Sequence, residues 1–579
     1  MTSKKQTYFH LLILLGIAVV ICLPFLTMGK IYNQDDFLFH KARMLAYYTS
    51  VMKDHDFLPR VLPSMAGGFG YAVDIFYNSF TLLPFVLFKA VLGGFVLPYN
   101  LYLLTLTITT SLMAYGCARK VFKPQQALLG AVLYATNTYR LIDLFVRGDI
   151  GESLAIMLLP LVVLGFYRSL QPESHWRTLA IGMTLLFIAH PLSAGIVTIL
   201  MICFDAYRAI THQLTKIQFL TQGRAALTAM ILTLFLTGPM LEQAAYQKLQ
   251  LSRAPALWPV GLNFSLAKLL SNSLSNASGV WAKISPSVGP LALLILIFAL
   301  FQFKTSSKSD RQLTAVTWLI FILSSNLMLW PIVQHSFLAT LQFEWRLLMV
   351  AALLSAMLAM RLIHHHHIAL IAFATLLALS FNYAVVNSLK AQDSILVVNN
   401  KNANTANNAI GGTYDYLPTS VSPTIATDPH RSTFAKAESG ITLAGFGTRT
   451  GQQSNGAETY EIASTSKQSG IILLPKIAYK GYTVSSTNKT YQVQNVNGLL
   501  GVKVGRSHPS ALTVQYTGTW IQHLTTLISL IFALGLLWTW WRLKHHPRQP
   551  FIKSKLNQSP PGRFANHKTP KIKPYTTTQ

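Results

Sequence analysis

Residues 11–43 read LLILLGIAVVICLPFLTMGKIYNQDDFLFHKAR. An apolar run from Leu11 to Met28 stops at a polar loop that carries two adjacent carboxylates, Asp35 and Asp36. Lys4 and Lys5 precede the run. A secretory signal is the competing reading. The run is long for a signal core, however, and no small-x-small cleavage pattern precedes the polar loop, so it reads as a first spanning helix. Basic residues before a first span hold that end in the cytoplasm. The Asp-Asp loop then emerges on the outer face.

The rest of the chain repeats this pattern. Of 579 residues, 51% are hydrophobic and only 11% charged, against roughly 25% charged in an average soluble domain. Too few charges remain to cover a water-facing surface, which excludes a single soluble enzyme. The net charge of +28 does not mark a nucleic-acid binder, because the basic residues cluster in short stretches between apolar runs, as in cytoplasmic loops. Cys22, Cys117 and Cys203 lie inside apolar segments and form neither a disulfide framework nor a metal spacing.

Further apolar runs fall near 76–93, 97–117, 126–145, 153–168, 178–207, 225–241, 287–303, 312–330, 346–362, 367–387 and 519–541. The 178–207 run carries His190-Pro191 at its centre and reads as two helices forming a hairpin, since proline removes a ladder hydrogen bond. Run 76–93 decides the orientation. If it is re-entrant or lies along the surface, the clusters Arg119/Lys120/Lys123, Arg168/Arg177, Arg208/Lys216/Arg224, Lys304/Lys308/Arg311 and the tail after Arg542 all become cytoplasmic. Lys89 and Gly93-Gly94 also weaken a simple span there. The expectation is a mainly α polytopic membrane protein with about twelve transmembrane helices and both termini inside.

Domain 1–389 is then the transmembrane part, with its outer loop at 29–96. Between about 390 and 516 the composition turns to Ser, Thr, Asn and Gly. An Asn-rich linker, Asn399 to Asn408, leads into alternating runs at Gly440–Gly447, Thr459–Ser464, Ile471–Tyr479, Tyr491–Val496 and Ala511–Tyr516. Period-2 alternation between Gly and Asn turns predicts a small antiparallel β-sandwich, placed outside by parity. The last helix occupies 517–543, and the Pro- and Lys-rich tail 544–579 reads as disordered and cytoplasmic.

Only Glu173, Asp205 and Asp310 fall on the cytoplasmic side. The first outer loop holds Asp35, Asp36, Asp54, Asp56 and Asp74. Carboxylates contribute little to orientation, so their sidedness points to where the chemistry is. Of Asp35 and Asp36, one can act as base, aided by the raised pKa of an interfacial carboxylate, while the other binds a ligand, a metal or Arg43. A helix cap at Phe37 is the alternative. In Arg147-Gly148-Asp149-Ile150-Gly151-Glu152 the arginine fork suits a phosphate, with Asp149 or Glu152 orienting it or a metal; a helix–helix turn is the other reading. His190 stands at the hairpin tip, where packing competes with ligand binding. Glu242, Tyr246 and Arg253 open another outer loop. Gln342 to Arg346 enters a helix from outside, so Arg346 can meet a phosphate and Trp345 a sugar, against plain interfacial anchoring. The His364–His367 run has no acid or cysteine beside it and reads as a helix end, not a metal site. No phosphate-binding glycine loop, Ser-His-Asp arrangement or HExxH spacing is present.

Taken together, the acidic motif after the first helix, the partly re-entrant segment, the second outer acid and the outer C-terminal domain resemble the GT-C class, membrane glycosyltransferases that use polyprenyl-phosphate sugars. More narrowly, Asp36 to Arg43, His190-Pro191 and Gln342 to Arg346 resemble the bacterial membrane family named for a "6-pyruvoyl-tetrahydropterin synthase-related" domain, itself similar to YfhO-type membrane proteins. Leu474-Pro475 and Gly481-Tyr482 are similar to the YfhO-type pattern before its last helix. That family name is not an activity, since nothing here reproduces the three-histidine zinc site of pterin synthase.

The resemblance implies an inverting sugar transfer at the outer face of a bacterial cell membrane, from a polyprenyl-phosphate sugar to a cell-envelope glycan or protein. Asp36, or Asp35, would deprotonate the acceptor. Arg147, Arg346 or a divalent cation would stabilise the departing lipid phosphate, with Arg43, Asp149, Glu152, His190 and Trp345 completing the binding of sugar and membrane lipid. Glu344 departs from the family, which more often shows a small residue or Pro there. The competing class is a non-catalytic envelope polymer assembly or export protein of the same fold. Transport is weaker, because mid-helix ionisable residues are few. The orientation has a direct check: a cysteine at Ser64 is expected to react with an impermeant thiol reagent added outside and one at Ser307 is not, and the reverse pattern would invert the topology.

Overall fold

The computed structural model of the chain describes residues 3–173, 175–252, 264–277, 279, 284–328, 332, 341–392, 395–405, 410–411, 414–422, 442–453, 456–464, 468–487 and 489–545. Arg253, Asn408 and the tail beyond His545 lie outside them.

Among the described residues seven helices are long and apolar enough to cross a membrane: Lys4–Leu26, Val96–Ala118, Ile150–Ser169, Pro191–Ile210, Glu344–Leu362, His367–Lys390 and Trp520–Arg542. The protein is a multi-pass membrane protein. The expectation of about twelve spans rests on runs that form shorter helices. Pro124–Ala135 and Pro290–Phe301 have 12 residues each and Arg177–Ala189 has 13. At a rise of about 1.5 Å per residue these reach roughly 18–20 Å, short of a hydrocarbon core about 30 Å thick. Run 225–241 is interrupted at Thr233, where Lys216–Leu232 and Leu234–Tyr246 meet at 68°. Run 76–93 becomes a 3-10 turn, Ser79–Leu82, and a ten-residue helix, Leu83–Leu92, that stops at Gly93. Its length fits a segment that does not span.

The His190-Pro191 break is real. Arg177–Ala189 ends at His190, whose backbone is extended (φ −156°, ψ 94°), and Pro191 opens the next helix, a position where its missing N–H costs nothing. Run 126–145 breaks as well. Its helix stops at Ala135, and the chain continues as Thr138–Leu141 and a π-helical turn, Ile142–Arg147, which ends at left-handed Gly148. That wide turn brings Asp143 and Arg147 together.

The start of the predicted Asn-rich linker is built into the loop around the first two spans. Strand β1 (Ile31–Tyr32) pairs antiparallel with β2 (Val397–Val398). The Asn400 side-chain oxygen accepts from the Phe95 and Val96 N–H groups at 2.8 and 3.0 Å, which caps Val96–Ala118. The strands β3 (Leu443–Gln452), β4 (Glu458–Ser464), β5 (Gly470–Ile477), β6 (Tyr482–Ser486), β7 (Lys489–Tyr491), β8 (Val493–Val496), β9 (Leu499–Val504) and β10 (Ala511–Tyr516) follow. They form one eight-stranded sheet in the order β7-β6-β10-β4-β3-β5-β9-β8, not the expected antiparallel sandwich. The reason lies in β5, which passes the β3–β4 hairpin and joins the free edge of β3 in parallel.

Alternation divides the sheet's residues between two cores. Ile472, Leu474, Leu500, Val502, Leu512 and Val514 pack with Tyr460 and Val484. Leu473, Ile477 and Leu499 belong with Leu62, Phe69 and Tyr71 of the 29–96 loop. Polar contacts add to this docking. Lys476 Nζ donates to Gly68 O at 3.0 Å and pairs with Glu458. The Gln243 amide bonds the Lys480 backbone in both directions. Glu242 pairs with Lys480 at 3.1 Å and accepts from the Thr519 hydroxyl, so this acid fastens the β domain.

The chain forms two compact units, Met1–Leu530 and Ile531–Gln579. The second holds the end of the Trp520–His545 helix, with Arg542, Lys544 and His545 in its last turn, where cations complement the helix dipole.

Within the first unit, Ile150–Ser169 packs against Arg177–Ala189 through glycine. A Cβ on Gly165 would lie 2.5 Å from the Leu179 backbone N and Cα, and backbone atoms leave no flexible end to move aside. Gly165→Val is therefore expected to destabilise the protein by several kcal/mol, as overpacking does, seen as a lower unfolding temperature in detergent. An unchanged value would show that the two helices can move apart.

Candidate active site

Two backbone turns assemble the site. Asp36 precedes the helix Phe37–Met52, yet its side chain makes no capping hydrogen bond, so the capping alternative does not use its carboxylate. Its N–H donates to Arg147 O at 2.8 Å, and Gln34 Nε2 donates to Phe145 O at 2.9 Å. The Asp-Asp loop is thereby stitched to the π-helical turn. Gly148 has φ 69°, and a Cβ there would meet Gln34 Oε1 at 2.7 Å, so both space and conformation require glycine. Asp149 then caps Ile150–Ser169 by accepting from Glu152 N at 3.0 Å. A 3-10 turn, Glu344–Leu347, brings in Arg346.

These turns surround Arg147 with acids. Its Nη1 donates to Asp143 at 2.6 Å and Glu152 at 2.8 Å, and its Nη2 to Asp149 at 3.0 Å, with Asp36 at 3.6 Å. Arg346 Nε donates to the same Glu152 oxygen at 3.1 Å, its Nη1 to Gln342 at 2.6 Å, and its Nη2 lies 3.9 Å from Asp149. The second Glu152 oxygen accepts from Tyr139 OH at 2.5 Å, and Asp143 accepts from Ser153 OH at 2.9 Å. Arg147 lies over the Trp345 ring, 5.1 Å from its centroid. All these charged groups are buried except Asp36, whose side chain is 38% accessible.

Four carboxylates face two guanidinium groups, and the mismatch appears as a proton affinity. Asp36 opens toward solvent but has protein packed densely around it. That burial, and then the Asp149 charge, push its pKa up to about 7, while Arg147 opposes them. Asp35, at the rim, is raised to about 6 by the same burial, with Arg147 again opposing. Asp149 moves the other way: burial would raise it, but Arg147 leads a set of nearby cations that hold it below the usual carboxylate range. Burial also pushes His40 down to about 3, so it is neutral. Its Nε2 accepts from the Ile150 N–H at 3.3 Å, which leaves its proton on Nδ1.

The structure brings Asp36, Arg147, Asp149, Glu152 and Arg346 into one cluster. His190 joins its edge, with Nδ1 2.7 Å from Ser193 Oγ. A Cβ on Gly151 would meet both Tyr77 OH and His190 Cδ2, so glycine is what lets these two rings close over the turn. Arg43 is elsewhere. Rather than pairing with Asp35 or Asp36, it donates to Ser79 Oγ at 2.9 Å and Asn78 O at 2.7 Å and lies over the Tyr77 ring at 3.8 Å. Asp74 accepts from the Ser79 N–H and hydroxyl. Trp345 is 1% exposed and stacks on Phe343, which leaves no open ring face for the sugar expected there. Glu344 accepts from Phe264 N at 3.3 Å, apart from the cluster.

Asp143 and Tyr139 are cluster residues that the sequence motifs do not single out. Asp143 carried a signal, as an acid within an apolar run four residues before an arginine. Tyr139 carried none, and Gln342 stood out only as the start of the Gln342 to Arg346 motif. The expected alternative of a divalent cation does not fit. Carboxylate oxygens of Asp143, Asp149 and Glu152 lie within 4.8 Å of one another, but the Arg147 guanidinium is bonded to all three and already supplies the positive charge.

No family model matches the chain, and no curated protein matches it. Among solved structures it is similar to the arabinofuranosyltransferase AftD from Mycobacteria, at a TM-score of 0.40 and 15% identity over 67% of this chain and 27% of that one. A mutant of the same protein gives a TM-score of 0.39 and 15% identity over 65% and 28%. The chain thus matches little more than a quarter of those structures' length.

Removing the central cation should be severe. Arg147→Met leaves buried carboxylates without their partner and is expected to cost about 3–5 kcal/mol or more, seen as loss of folded protein in detergent. Adding Asp143→Asn should recover part of that loss. Equal stability of Arg147→Met and wild type would show that the cluster is not held by this residue.

Proposed function

We propose that the protein is a membrane glycosyltransferase of GT-C type, moving a sugar from a polyprenyl-phosphate donor to a cell-envelope acceptor on the outer face of a bacterial cell membrane, with both termini in the cytoplasm. The observation that carries this reading is Asp36. It is a carboxylate free of capping duty, open to solvent, fixed by its backbone to Arg147 and raised to a pKa of about 7. A general base works best with a pKa near the working pH. In the transfer, Asp36 takes the acceptor hydroxyl proton as that oxygen bonds to the anomeric carbon. The bond from that carbon to the lipid phosphate breaks, and the phosphate leaves with the electron pair. Asp35 at the rim is the other carboxylate within reach of an acceptor.

Arg346 and Arg147 supply the positive field for the leaving phosphate. Asp149 and Glu152 hold both guanidinium groups in register. His190 sits where it can meet the donor, and Arg43 supports the loop through Asn78 and Ser79. The second reading, a non-catalytic assembly or export protein, draws on one observation: both guanidinium groups are already bonded to carboxylates.

The test is transfer of radiolabelled sugar from polyprenyl phosphate in isolated membranes. Asp36→Asn is expected to lower the rate by about 10²–10⁴ while the protein remains folded and inserted. Because the base works ionised, the wild-type rate should rise with pH through about 7 and level off above it. Full activity in Asp36→Asn would refute its role, and no transfer from a broad donor panel would favour the second reading.

A further inference from the structure

The bend at Thr233 is held from outside its own helix. An unbroken α-helix would run a hydrogen bond from the Phe235 N–H to the carbonyl four residues back, that of Ile231. Here the Ser529 hydroxyl stands between the two. It accepts from Phe235 N at 3.1 Å and donates to Ile231 O at 2.9 Å. One side chain thus replaces one rung of the ladder, an insertion of the kind that kinks helices, and the halves Lys216–Leu232 and Leu234–Tyr246 meet at 68°. Pro239, inside the second half, frees the carbonyl of Phe235 and not that of Ile231, so it does not account for this rung.

Ser529 belongs to Trp520–His545, in the part of that helix that lies within the first compact unit. A serine or threonine inside a helix can turn its hydroxyl back to the carbonyl four residues earlier. Thr525 and Thr526 do so, to Ile521 O at 2.8 Å and Gln522 O at 2.7 Å. The Ser529 hydroxyl is turned to the other helix instead. Glycine permits the approach: a Cβ on Gly238 would lie 2.6 Å from Thr525 Cγ2 and 2.9 Å from its Oγ1, and a β-branched side chain is stiff. Thr525 and Ser529 are four residues apart on one face. The first fills the space over Gly238 while the second enters the break.

The depth of the contact makes the hydroxyl hard to replace. Ser529 is nine residues past Trp520, roughly 14 Å along the axis of an apolar span, and is 6% exposed. At such a depth a freed backbone group has to be met by a neighbouring helix, because water is not there to meet it. Without the hydroxyl, the Phe235 N–H and the Ile231 carbonyl are best satisfied by each other, and that bond requires a straighter helix.

The half beyond the bend carries the seat of the β domain. Glu242 holds the Lys480 ammonium and the Thr519 hydroxyl, and Gln243 holds the Lys480 backbone. Met240 packs against the core that Leu473 and Ile477 share with Tyr71. A change of bend therefore displaces this seat relative to Lys216–Leu232.

We propose that the two halves are a hinge pinned by Ser529. Its bent state has the hydroxyl in the break, its other state is a straighter helix with the Phe235–Ile231 bond closed, and the β domain moves with the outer half. The device does not depend on the role given to Asp36.

The test is the distance between spin labels at Ile217 and Ala244, both exposed, read by double electron–electron resonance on the full chain in nanodiscs. Cys203→Ser supplies the background for labelling, since Cys22 and Cys117 are buried. The helical rise puts the two sites about 34 Å apart across the bend and about 40 Å apart in a straight helix. Wild type is expected at the shorter distance, together with Ser529→Thr, which keeps the hydroxyl. Ser529→Ala is expected to shift the distribution to the longer one. Gly238→Leu, which lifts the last helix off the break and leaves Ser529 in the chain, should shift it the same way and decides the case if Ser529→Ala does not insert. A second pair, Ala244 and Thr490, should keep its distance in Ser529→Ala. An unchanged Ile217–Ala244 distance in Ser529→Ala would overturn the hinge, and an equal shift in Ser529→Thr would overturn the part given to the hydroxyl. A changed Ala244–Thr490 distance would overturn the link to the β domain.

Discussion

One guanidinium group organises the candidate site of this membrane protein. Arg147 carries hydrogen bonds to Asp143, Asp149 and Glu152, which come from a π-helical turn, a helix cap and the first turn of the next helix. In a low-dielectric setting each of those acids would be prohibitive alone. Because a single cation satisfies them together, the three backbone elements are held in one relative placement. The loop carrying Asp36 is attached to that placement through the carbonyl of the same arginine. The position of the candidate base is thus set by a charge network that it barely joins, at 3.6 Å and partly in solvent.

The incomplete neutralisation has chemical value. Burial raises the proton affinity of Asp36 first, and the neighbouring Asp149 charge adds to it. An excess of acid charge raises the cost of ionising a further group, and Asp36 is the raised carboxylate of the cluster that is open to solvent. Asp149, by contrast, is kept ionised by the field of Arg147 and Arg346. Two carboxylates from one cluster are thereby driven apart in proton affinity, a pattern suited to a base next to a fixed anion.

The sequence made legible what depends on local chemistry. The apolar run before Asp35-Asp36, the break at His190-Pro191 and the unusual 76–93 segment all follow from hydropathy or from proline and glycine, and the structure has them at those places. The carboxylate–arginine motif at 147–152 was visible because its residues are neighbours in the chain. The longer-range features were not. Whether a run of apolar residues continues as one helix depends on how Thr233 or Ala135 packs, which hydropathy does not record. Joining β5 to the free edge of β3 is a tertiary choice, so alternation alone suggested two sheets. The Asn399–Asn408 stretch looked like a linker by composition, yet Asn400 is a helix cap for residues three hundred positions earlier in the chain. Trp345 is open in the sequence to a sugar or to interfacial anchoring, because position in the chain does not reveal that Phe343 and Arg147 already occupy its ring.

The short pairing of β1 with β2 is the least conspicuous contact in the fold. Ile31 and Tyr32 bond to Val398 and Val397, and Asn33 N–H bonds to Leu396 O at 2.9 Å. Asp35 and Asp36 follow within a few residues on one strand, and the chain that becomes the β domain follows on the other. A force on the β domain therefore has a short mechanical route, through this pairing, to the Asp-Asp loop.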